Sequence, residues 1–150
     1  MKTSPAHSSS GIGRPWLALC FCLTVHIAEE AFTGFLPSYS DATRAVSELL
    51  PFVTSPSLVL AASMWMSVAF AAILTALAPF AYGGASWMRV ATIGVALVAL
   101  ANVTGHAGGS MLAGQPMPGI YTTPLLAAVG IYALVSAWRW NPVDVEECAA

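Results

Sequence analysis

Charge is what this chain has least of. Five Lys and Arg and seven Asp and Glu make up 8% of 150 residues, where soluble domains average roughly a quarter. Their balance of −2 leaves no basic surface for nucleic acid and no strong field for an acidic partner. Cysteine is almost as scarce. Cys20, Cys22 and Cys148 have the spacing of neither a zinc site nor a disulfide framework, and Cys20 reads as small apolar packing. No cleavable leader is expected either: no A-x-A site follows the apolar run after Lys2, and the run passes Val25 straight into ionisable residues. Cys20, preceded by Leu19 and lying inside that run, does not suit a lipoprotein signal.

Apolar residues, by contrast, make up 57% of the chain. No Asp, Glu, Lys or Arg occurs from Leu49 to Met88, or again from Val90 to Trp138, and each stretch exceeds the ~20 residues a spanning helix requires. The expected fold is all-α, a four-helix transmembrane bundle in one membrane domain over 16–140, between a flexible N-terminus (1–15) and a tail (141–150). The spans are drawn at 16–36, 58–82, 86–106 and 120–138, with Pro79 and Pro124 inside theirs. Gly105, Gly108 and Gly109 are expected to loosen the end of the third span ahead of a Gln115–Gly119 turn, and the G-x-x-x-G pair Gly105/Gly109 suggests close helix approach. Between the first two spans, Ala42, Ala45, Val46, Leu49 and Leu50 follow a helical stripe behind Ser40 or Asp41, with Arg44 and Glu48 as an i, i+4 pair. They predict a short interfacial helix, either covering the mouth of the bundle or simply linking two spans. Four spans put Lys2, Arg14, Arg89 and Arg139 on one side and only Arg44 on the other, so both termini are expected in the cytoplasm.

Against this background, His26-Ile27-Ala28-Glu29-Glu30 stands out: three ionisable groups within one apolar span. At about 100° per residue, Glu30 lies near +40° and Glu29 near −60° from His26, so all three share a face with Cys22 and Thr33. Burying them costs several kcal/mol on the insertion scale, whereas interhelical hydrogen bonds return ~0.6 kcal/mol each on average. A task is therefore expected of them. In an up-down bundle the C-terminal parts of spans one and three and the start of span four lie at the same membrane side. That topology gathers His26, Glu29 and Glu30 with Asn102 and His106, an i, i+4 pair, and with Tyr121, Thr122 and Thr123. Glu30 and His106 are expected to face each other. For Asn102 or His106 alone an interhelical hydrogen bond is the plainer role, and for Tyr121, Thr122 and Thr123 it is capping and packing.

Two chemistries are open to this set. Helix-borne Glu and His facing a bundle core are how many metal sites present their ligands, so His26, Glu29, Glu30 and His106 can supply one divalent ion, zinc or iron, with Asn102 and His106 contributing to cofactor binding. Cys22 is an additional soft donor one turn away. Such a site suits a hydrolase or oxygenase acting on a lipid-like substrate. The alternative is metal-free acid–base isomerisation of a sterol- or lipid-like molecule, with His26, Glu29 and Glu30 catalytic and the adjacent carboxylates sharing a proton. A third class, an ion- or proton-transport element or accessory subunit, also fits these residues.

His26, Glu29 and Glu30, with Gly34-Phe35 behind them, resemble the bacterial membrane family of unknown function named for its H-x-x-E-E motif. Asn102, His106 and Pro118-Gly119-Ile120-Tyr121-Thr122 are similar to that family's Asn, His and Pro-Gly-x-x-Thr pattern, and together the matches cover most of residues 16 to 138. The resemblance implies a multi-pass protein of the bacterial cytoplasmic membrane and this residue set, but no reaction.

Overall fold

The computed structural model describes residues 11–33 and 56–140, and within 56–64 only the helical backbone. Helix α1 is Gly13–Phe32, α2 is Pro56–Ala76, α3 is the short Ala78–Tyr82, α4 is Met88–Ala113 and α5 is Thr123–Arg139. The fold is all-α. The segment expected to form an interfacial helix, residues 1–10 and the tail 141–150 lie outside the described residues, whereas residues 11–15 of the expected N-terminal segment are described and residues 13–15 open α1.

Each helix boundary has a local cause. Pro15 sits in the first turn of α1, where a missing N–H has no intrahelical acceptor to lose. Thr33 closes that helix, its N–H and its hydroxyl both donating to the Glu29 carbonyl at 2.8 and 2.7 Å. The second span is not continuous, as drawn from sequence, but breaks at Leu77, because Pro79 can neither donate to a preceding carbonyl nor fit its ring against it. At this break the Leu74 carbonyl accepts a buried hydrogen bond from Trp16 Nε1 at 2.9 Å, which ties α2 to α1.

The third span departs furthest from expectation. Instead of loosening near His106, α4 runs through Gly105, Gly108 and Gly109 to Ala113 and stops at Gly114, whose φ of 64° is left-handed. A helical glycine costs roughly 1 kcal/mol relative to Ala, which weakens a helix without ending it. The Gly105/Gly109 pair does not join helices here. Open space surrounds a Cβ built on Gly105, and Gly109 packs on the Met117 side chain of the following turn. The close approach between α4 and α5 lies further along, where Gly130 rests on Leu100 and the Ala96 carbonyl. Buried Thr92, Ala96 and Ala99 on α4 and buried Gly130, Ala133 and Ala137 on α5 supply the small residues that membrane helices use to pack. Pro124 falls in the first turn of α5, not inside a span, since residues 120–122 belong to the turn before it.

Helix α5 runs antiparallel to α1 and α4. Arg89, at the start of α4, donates to the Ala137 and Trp138 carbonyls at the end of α5, at 3.2 and 3.3 Å, a cation serving a helix C-terminus. Trp16, Leu19, Met88, Leu126 and Ala133 form the buried centre, while Trp65, Met66, Phe70, Ile73 and Leu97 are exposed. Large outward-facing apolar residues are unremarkable where the surroundings are lipid. Helix α1, the stretch Trp65–Tyr82 and α4 are long and apolar enough to cross a membrane. Helix α5, with 17 residues, reaches about 26 Å. The protein is an integral, multi-pass membrane protein.

Candidate metal centre

The antiparallel arrangement brings the C-terminal halves of α1 and α4 to the turn that opens α5. His26 is buried to 1% exposure on α1, and His106 is buried on α4. Their imidazoles meet edge to face with ring centroids 4.9 Å apart. Glu30, one turn beyond His26, places Oε1 2.9 Å from His106 Nε2 and 3.6 Å from His26 Nε2. The facing of Glu30 and His106 is therefore as the sequence indicated. His26, Glu30 and His106 can each offer one ligand atom such that all three lie within 4.8 Å of one another.

Glu29 goes elsewhere. Its Oε1 accepts from the Tyr121 N–H at 3.0 Å and its Oε2 from the Thr122 N–H at 2.7 Å, so the carboxylate serves free N–H groups at the start of α5. It is not among the three residues whose ligand atoms converge. Cys22 is buried on the same helix but is likewise outside that group, and the Thr33 hydroxyl is spent on its own helix. Asn102 approaches the His26 ring, and its Oδ1 is buried without a hydrogen-bond partner. His26 Nε2 and His106 Nδ1 are buried and unpartnered as well.

Two residues of the turn take part in ways that capping does not describe. Thr122 Oγ1 lies 2.7 Å from His26 Nδ1 and 3.3 Å from the Gly119 carbonyl. Gly119, buried and with φ of 88°, lines the cluster: a Cβ there would sit 2.9 Å from Cε1 of both histidines and 3.1 Å from Glu30 Cγ. Only glycine combines that backbone angle with so close an approach. Both belong to the Pro118–Thr122 segment, the single sequence signal that pointed to them. The Thr123 hydroxyl donates to Gly119 O at 2.9 Å, and the Tyr121 side chain is exposed.

Residues 16–133 match the family described as "Protein of unknown function with HXXEE motif". No curated protein and no solved structure matches the chain.

Proposed function

The chain belongs to the HXXEE family, whose description names no reaction, and from its own residues we propose that it binds one divalent metal ion through His26, Glu30 and His106. The observation that carries this is the convergence of two imidazoles and one carboxylate within 4.8 Å, with His26 Nε2 buried and unpartnered. Two His and one carboxylate form the donor set of catalytic zinc and of non-haem iron, and both leave coordination positions free. Such an ion, when bound, supplies Lewis acidity or, as iron, redox chemistry, which suits a hydrolase or oxygenase. The site's place among apolar helices favours a lipid-like substrate.

The 2.9 Å contact between Glu30 and His106 favours a second reading, in which these two act as a metal-free acid–base pair on a sterol- or lipid-like molecule. Metal analysis of protein purified in mild detergent, followed by Zn²⁺ titration of the stripped protein, separates the readings. About one ion per chain supports the metal centre, and no binding with a co-purified lipid or sterol supports the pair.

We also propose that the site opens to the non-cytoplasmic side of a bacterial inner membrane, on the strength of Lys2, Arg14, Arg89 and Arg139 set against Arg44. A reporter active only in the cytoplasm will work when fused after Ala150 and fail when fused within 38–56; the reverse pattern refutes the orientation.

A further inference from the structure

We propose that Thr122 is the positioning residue of the metal centre: its hydroxyl accepts the Nδ1 proton of His26 and thereby turns the Nε2 lone pair toward Glu30 and His106. The threonine hydroxyl has one proton and three acceptors within reach, the Glu29 carboxylate, the Gly119 carbonyl at 3.3 Å and His26 Nδ1 at 2.7 Å. Given to Glu29 or to Gly119, it completes a chain from imidazole N–H through hydroxyl to an oxygen acceptor in which every bond has one donor. The carbonyl has two lone pairs, enough for Thr122 and for the Thr123 hydroxyl at 2.9 Å. Given instead to His26, it is lost to both oxygens and puts the ring proton on Nε2, a buried atom 3.6 Å from Glu30 Oε1 with Asn102 beside the ring. The first arrangement gives the hydroxyl proton to an oxygen acceptor and leaves a lone pair where the other two ligands converge.

Glu29 explains why the hydroxyl stays in place. Its carboxylate holds the Thr122 N–H at 2.7 Å and the Tyr121 N–H at 3.0 Å, and it projects from the same helix that carries His26. The two neighbouring glutamates thus divide the work: Glu30 enters the cluster, and Glu29 fixes the residue that orients His26. Hydrogen-bond partners of this outer kind set the tautomer of a metal-bound imidazole, and their loss costs 10–100-fold in metal affinity.

The inference rests on the metal reading only for its second readout. In ¹⁵N-histidine-labelled, metal-free protein in detergent, the ring nitrogen shifts of His26, assigned by their loss in His26→Gln, report which nitrogen holds the proton. Wild type and Thr122→Ser are expected to hold it on Nδ1. Thr122→Val, equal in size but without the hydroxyl, is expected to lose that preference and to bind Zn²⁺ roughly 10–100-fold more weakly. If Thr122 only capped α5, the Val variant would melt earlier with an unchanged tautomer. That result, or a wild-type His26 protonated on Nε2, overturns the proposal. Should the Val variant not fold, the wild-type and Ser spectra still decide the matter, and a wild type that binds no Zn²⁺ refutes the metal centre while leaving the tautomer to be read.

Discussion

The two ends of the bundle treat buried polar groups in opposite ways. Where α1 and α4 begin and α5 finishes, the contacts close: Trp16 Nε1 meets the Leu74 carbonyl, Arg89 meets the last carbonyls of α5, and the Thr92 hydroxyl donates to Met88 at 2.7 Å. At the other end His26 Nε2, Asn102 Oδ1 and His106 Nδ1 stay unpartnered among the described residues, although they are buried. Polar side chains that merely join membrane helices gain stability by completing their bonds, as at the first end. A buried group with an open valence destabilises the bundle, and it persists where a ligand completes it. One end is fastened; the other is where we propose the metal site.

That contrast breaks most visibly at the site itself. Glu30→Gln or His106→Ala alone will lower metal affinity by at least two orders of magnitude in calorimetric titration, and the double variant will lose little more, because residues acting as one unit are not additive. Additive losses would place the two in separate sites. Gly119→Ala comes next. The added methyl group meets both imidazoles at 2.9 Å and the backbone has a φ of 88°, so we expect a destabilisation of about 2–4 kcal/mol in thermal melts together with weakened metal binding. A variant melting like wild type would mean the turn does not sit on the histidines. Smallest at the site, and a control for the far end, is Trp16→Phe. It removes the indole bond to the Leu74 carbonyl, leaving that carbonyl only the Leu77 N–H at 3.2 Å, and thins the core, costing about 2–3 kcal/mol of stability, while metal affinity stays within two-fold of wild type. A large change in affinity there would erase the distinction between the two ends.

The pairing of Glu30 with His106 was legible in the sequence because two regularities suffice to derive it: helical spacing within α1 and α4, and the parallel direction that alternating spans impose. The different fates of Glu29 and Glu30 were not. Both lie on one stripe of α1, and what separates them is the path of the 119–122 turn, which presents N–H groups to one carboxylate and a glycine to the other. Local sequence marks that segment as a turn and a helix start, without saying which imidazole its hydroxyl reaches. Gly105, Gly108 and Gly109 misled for a related reason. Their weak helix propensity is a local quantity, and α4 runs through them to the left-handed Gly114. The break at Leu77 was half visible, since Pro79 marks its place but not the Trp16 indole that takes up the Leu74 carbonyl.

The central claim, that the open valences at one end of the bundle receive a metal ion, is tested most directly by zinc-edge X-ray absorption on the protein loaded with one equivalent of Zn²⁺ in detergent. The account predicts two imidazole ligands and oxygen donors at about 2.0–2.2 Å, falling to one imidazole in His106→Ala. A spectrum without imidazole scattering, or one unchanged by that substitution, would contradict it.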